Sequence, residues 1–218
     1  MKKIIILLLL SLVLFSCSKA EKEVVKVEKV DTSPKTILAL WDSLTAWLGV
    51  GETENYPYKL WKKLEENWYK YNIVNAWVSW DTSANLKSRA SLYLENKPDL
   101  VILVIGWNDW LRWLSVDDMK QNILDIIDLY DKEWIKIVLC WMDVPANLWL
   151  NYRDSFKKVY KEIAKERKKV YFYEFFLDGV AWNRMLNNDD LIHPNSSWYD
   201  IIVDKLFTFL EVNKLLNK

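Results

Sequence analysis

Glycine is nearly missing from this chain, with 4 residues among 218, where roughly 7% is ordinary for a globular protein. Histidine is scarcer still. His193 stands alone, and a multi-histidine metal site is thereby excluded. The two cysteines, Cys17 and Cys140, are too few and too far apart in sequence for a zinc knuckle. Neither sign of charge is in excess, with 30 Lys and Arg against 30 Asp and Glu, which argues against nucleic acid as the main partner.

Tryptophan is present in matching excess. There are 14, and together with the glycines they make 18, close to an ordinary glycine total. Their places follow turn logic. Trp41, Trp77, Trp107 and Trp141 each end or follow an apolar strand-like run, where a chain turning into a cleft favours a residue without a Cβ. Trp134 and Trp198 fall in polar turn contexts that favour glycine. Most of these tryptophans therefore read as glycines of the living protein, written as Trp when a gene using UGA for glycine is translated by a code that reads UGA as tryptophan. An aromatic platform for sugars or membrane is the rival reading, but these positions do not share one face of a helix or strand.

The chain opens with Lys2-Lys3, runs apolar from Ile4 to Phe15 and reaches Ser16-Cys17. That run is too short to span a bilayer and has the basic start and apolar centre of an export signal, predicted over residues 1–16. Leu14-Phe15-Ser16-Cys17 resembles a bacterial lipoprotein signal, in which Cys17 becomes the lipid-modified N-terminus; cleavage by an ordinary signal peptidase is the alternative. Residues 17–35 are charged and lack aromatics, as a tether should. With Cys17 lipidated, Cys140 has no partner and no intrachain disulfide is expected.

From residue 36 to 218 one domain is expected, without internal repeats. Apolar runs at Thr36–Leu40, Ile73–Ala76, Leu100–Ile105, Ile135–Cys140 and Val170–Tyr173 are short and continuous, as strands buried on both faces are. Helical patterns lie between them at Tyr56–Asn67, Ser83–Asn96, Val116–Lys132, Asn151–Lys168 and Ser196–Asn213. Ser115 and Asp118 form a capping pair at the third. This alternation predicts an α/β fold of three layers, α/β/α, on a five-stranded, mostly parallel sheet.

Ser43 lies just past the first strand, at the start of a polar turn, where its hydroxyl can reach a cleft on the carboxyl edge of the sheet. A serine hydroxyl is a poor nucleophile until a base takes its proton, and the base works best when a carboxylate fixes its tautomer. Asp190-Leu191-Ile192-His193-Pro194 supplies both, with Asp190 three residues before the histidine. Acyl transfer also needs donors aimed at the developing oxyanion. The Asn108 amide after the third strand, the backbone N–H of Trp80 after the second, and that of Ser43 itself are the candidates.

Taken together, these segments resemble the SGNH (GDSL-type) hydrolase family over about residues 36–210. Leu40-Trp41-Asp42-Ser43-Leu44-Thr45 matches its block GDSLT with Trp for Gly. Asn75-Ala76-Trp77-Val78-Ser79-Trp80-Asp81-Thr82 looks like NAGVSGDT, Gly106-Trp107-Asn108-Asp109 like GGND, and Asp190 to Pro194 matches DxxHP without departure. Every tryptophan in a block replaces a family glycine. Val144-Pro145-Ala146-Asn147 and Gly179-Val180-Ala181 make the chain most similar to the arylesterase, lysophospholipase and acyl-CoA thioesterase I group. The resemblance implies a flavodoxin-like sheet and a substrate groove bordered by Pro145, Asn147 and Tyr152.

The function expected is a serine esterase acting on acyl esters, thioesters or lipid substrates. Ser43, His193 and Asp190 are its catalytic triad, and Ser43, Trp80 and Asn108 its oxyanion hole. No metal or organic cofactor is required, and the membrane is a partner through the N-terminal lipid anchor, on the cell surface or in the periplasm. A carbohydrate O-acetyl esterase and a non-catalytic tethered binding protein are the alternatives. Expressed with tryptophan at every written position, the chain is expected to fold poorly or to be nearly inactive, the glycine form active.

Overall fold

The computed structural model describes residues 33–41, 51, 53–141, 150–174 and 195–218. Five strands, β1 (Lys35–Trp41), β2 (Tyr71–Trp77), β3 (Leu100–Val104), β4 (Lys136–Cys140) and β5 (Val170–Tyr173), form one sheet in the order β2-β1-β3-β4-β5. Every neighbouring pair is parallel. A parallel sheet covered on both faces needs residues that are apolar on both sides of the strand. Ile37 to Trp41 of β1 and Leu100 to Val104 of β3 are accordingly buried throughout.

Among the described residues, six α-helices accompany the strands: α1 (Tyr56–Glu66), α2 (Ser83–Ala90), α3 (Trp107–Leu111), α4 (Val116–Lys132) and α5 (Leu150–Glu166) between them, and α6 (Ser196–Val212) after the last. After β1 the chain crosses through α1 to β2 on one side, then returns through α2 to β3 on the other. Because such crossovers are right-handed, this reversal puts α1 and α2 on opposite faces of the sheet. α6 packs beside α1, whereas α4 packs between α2 and α5. The three layers and the parallel sheet are those expected from the sequence.

Side-chain caps fix where four helices begin. Asn55, Thr82, Ser115 and Asn195 accept hydrogen bonds from the backbone N–H groups of Tyr58, Asn85, Asp118 and Trp198, satisfying donors that a helix start leaves open. Packing then holds them in place. α4 buries Met119, Ile123, Leu124, Ile126, Ile127 and Tyr130 at helical spacing, and Tyr130 donates its hydroxyl to Ala90 O at 2.7 Å.

Several expectations are corrected at the level of elements. The helix expected over Ser83–Asn96 is α2 followed by a 3₁₀ turn, Ser91–Asn96, which ends on Lys97 at φ 47°. The helix α3 was not anticipated, because five residues are too few to display a period. Trp41 and Trp77 are the last residues of their strands, Trp107 and Trp198 are helical, and Trp141 extends the ladder by donating to Tyr173 O. At these five positions the backbone is ordinary, so none requires glycine for its conformation.

Candidate active site

The topological reversal at β1 opens a crevice between the carboxyl ends of β1 and β3, the usual ligand position in open α/β sheets. Register brings the strand ends level: Trp41 lies opposite Trp77 on one side and Val104 on the other, and Val104 opposite Cys140. Ser43 follows Trp41 by two residues and Asn108 follows Val104 by four. Asn108 thus lies in the segment just beyond one side of this crevice. Ser43, Asp190 and His193 lie outside the described residues, as do Cys17, Pro145 and Asn147.

Trp80 and Asn108 are described, and the structure brings their segments together. The turn Val78-Ser79-Trp80-Asp81 closes with Asp81 N–H donating to Val78 O, and Trp80 has φ 67°. A positive φ at the third position alone is the signature of a type II turn, which normally places glycine there. Among the described residues no backbone carbonyl accepts the Trp80 N–H. It is therefore available to a ligand at this edge, while the indole stands 55% exposed.

Short as it is, α3 with its C-cap Arg112 holds this turn and the start of α2 at three points. Arg112 Nη2 donates to Trp80 O at 2.9 Å, and Asn108 Nδ2 donates to Asp81 O at 3.0 Å. Asp109 then receives the backbone N–H of Ser83 at 2.8 Å and its hydroxyl at 2.6 Å. Asn108 is fully buried. Its amide carries two hydrogens, so the bond to Asp81 fixes its orientation and leaves one N–H for another acceptor.

Behind the turn, Arg89 donates from Nε to Asp81 Oδ2 at 2.6 Å, and from Nη1 to Ala76 O and the Tyr93 hydroxyl. The peptide that anchors Asn108 is thus itself held by a largely buried ion pair. Sequence reading missed Arg89, Arg112 and the Asp109–Ser83 pair. Only Thr82 as a helix cap had a local signal; Arg89 lies two turns along α2, and nothing in the sequence says which carboxylate it meets.

Asp109 is 2% exposed. Burial raises its pKa above the ordinary carboxylate value, opposed by the two Ser83 hydrogen bonds and by the charge of Arg112. Gly106, at φ 119°, begins α3, and a Cβ there would run into the Tyr160 hydroxyl and crowd Met119 and Phe156. That hydroxyl donates to Ile105 O at 2.6 Å, so α5 fixes the end of β3 and with it the start of α3. Tyr152, expected to border the groove, donates to Leu114 O at 2.7 Å and packs on Trp113 at a ring separation of 5.5 Å. It therefore borders the carboxyl end of α3.

At Trp41 structure and block pattern diverge. The resemblance asks for glycine, yet the indole is buried edge-on against Tyr56 at 4.6 Å and donates Nε1 to Asn75 Oδ1 at 2.8 Å.

Sheet order, crevice and a buried amide held against a strand-end turn define an SGNH-type hydrolase. The GDSL-like Lipase/Acylhydrolase family profile matches residues 39–201, and the chain belongs to that family. It is an ester hydrolase. The chain is 34% identical over 161 residues to Esterase TesA of Pseudomonas aeruginosa, covering 73% of this chain and 80% of that protein. It is 30% identical over 187 residues to an arylesterase of Vibrio mimicus, covering 85% and 88%. Among solved structures, AlinE4, an SGNH-hydrolase family esterase, superposes with a TM-score of 0.69 at 33% identity over 85% of this chain and 98% of that one.

Proposed function

We propose that the protein hydrolyses acyl esters or thioesters through Ser43, His193 and Asp190. His193 takes the proton as Ser43 Oγ bonds to the acyl carbon, and Asp190 holds the imidazole in the tautomer that accepts it. The backbone N–H groups of Ser43 and Trp80 and the free amide hydrogen of Asn108 stabilise the oxyanion. His193 then protonates the leaving alcohol or thiol, and water, deprotonated by the same imidazole, releases the acid and restores Ser43. Pro145, Asn147 and Tyr152 border the acyl groove. Export, with attachment to the membrane by lipid on Cys17, completes the reading.

The observation that carries the proposal is the three-point grip of α3 and its C-cap Arg112 on residues 80, 81 and 83. It fixes one amide donor and one backbone donor relative to each other before any substrate arrives, which is what oxyanion stabilisation without reorganisation requires. Steady-state hydrolysis of 4-nitrophenyl esters of increasing chain length, with an acetylated polysaccharide in parallel, is the test. Ser43→Ala should abolish turnover, and Asn108→Ala should lower kcat by roughly a hundredfold to a thousandfold. Full activity in Ser43→Ala would overturn the reading. Activity on acetylated sugar but not on longer acyl chains would favour an O-acetyl esterase.

A further inference from the structure

Among the described residues, four of the six non-glycine residues with positive φ are tryptophans: Trp68 at 65°, Trp80 at 67°, Trp113 at 55° and Trp134 at 60°. Residues other than glycine adopt this region rarely, and asparagine and aspartate are the usual exceptions. No asparagine or aspartate is among the six.

Three of the four occupy the same place in the same motif. After α1, Trp68 N–H donates to Glu65 O at 3.0 Å and Tyr69 N–H to Leu64 O at 2.9 Å. After α3, Trp113 donates to Trp110 O and Leu114 to Asp109 O; after α4, Trp134 donates to Asp131 O and Ile135 to Tyr130 O. Each is a Schellman termination, whose left-handed position is the commonest glycine site in helical proteins. The fourth, Trp80, is the left-handed residue of the type II turn described above. All four indoles are also at least half exposed, Trp68 and Trp134 by 85% and 84%. Trp113 touches Tyr152 and Trp134 lies under Lys169 only at the surface, so burial in the core does not account for the choice of tryptophan.

We infer that the protein made in its own cell carries glycine at positions 68, 80, 113 and 134, because its gene specifies them with UGA and its translation reads UGA as glycine. Hydrogen-bond pattern, backbone sign and exposure point to glycine at these four positions. Lys214 takes the same Schellman position after α6 at φ 54°, so it is the recurrence of tryptophan there, and not the geometry alone, that points to UGA. Three helix ends then have their natural stop signal. The edge of the candidate oxyanion hole is bare backbone, with the position 80 N–H retained and no indole beside it. A glycine-charged tRNA able to read UGA is the partner this requires.

The test is independent of any enzymatic activity. The protein is purified from the cells that carry the gene and digested, and the peptides spanning the four positions are weighed and sequenced by mass spectrometry, with the codons read from the same genomic DNA. Glycine at all four positions, over UGA codons, is the expected result. Tryptophan in these peptides, or UGG at these codons, overturns the inference.

Discussion

Trp68 offers the cleanest measure of how strongly the backbone asks for glycine. Its indole is 85% exposed, so removing it sacrifices little burial, and what little is lost is the same in Trp68→Gly and Trp68→Ala. The two differ in the Cβ alone. At φ 65° a Cβ costs about 1–2 kcal/mol, while glycine loses about 0.5–1 kcal/mol more conformational entropy on folding than alanine. Trp68→Gly should therefore be more stable than Trp68→Ala by about 1 kcal/mol. The sign should reverse at Trp61, which lies inside α1, where glycine costs about 1 kcal/mol relative to alanine. Urea titration reads both pairs as shifts of midpoint at unchanged slope. Alanine equal or superior to glycine at position 68 would refute the steric reasoning on which the helix-stop assignments stand.

Three further outcomes are expected. Arg89→Met strands the Asp81 carboxylate, 6% exposed in its ion pair, and should destabilise by about 3–5 kcal/mol, with Arg89→Met/Asp81→Asn recovering part of the loss; thermal unfolding checks both. Gly106→Ala should cost about 3 kcal/mol, from a left-handed φ and from collision with Tyr160, and the same measurement reads it. Asp109, whose pKa is raised chiefly by burial, keeps its proton in the folded state at pH values where the unfolded chain has lost it. Stability from this group is thus largest below the ordinary carboxylate value and declines as pH rises toward the folded value. The pH dependence of the urea midpoint should show this slope in the unaltered protein and lack it in Asp109→Asn.

Much of the fold was legible because its strands are buried on both faces. Continuous apolar runs such as Leu100 to Val104 announce a covered parallel strand, and Ser115 and Asn195 mark helix starts by local chemistry that any reader of the chain can apply. α3 was hidden by its length, and the end of α2 by an uninterrupted helical pattern that relaxes into a 3₁₀ turn. Of the candidate site, Trp80 and Asn108 were named through their blocks, and the structure sets their segments side by side. Their mutual fixation was not, because Arg112, Asp109 and Arg89 act across turns and helices through contacts that only the folded chain creates. The excess of tryptophan was visible from the start, but the positions that matter for backbone conformation were not all those the sequence suggested. Trp134 and Trp80 coincide, Trp68 and Trp113 are added, and Trp41 is packed and hydrogen-bonded as written.

The catalytic claim rests on one oxygen atom made nucleophilic by one imidazole. Treating the protein isolated from its own cells with a fluorophosphonate, then mapping the adduct by peptide mass spectrometry, tests this most directly. A single adduct on Ser43, lost when the same cells carry His193→Ala, is the predicted result. No adduct, or one on another residue with Ser43 unmodified, would contradict it.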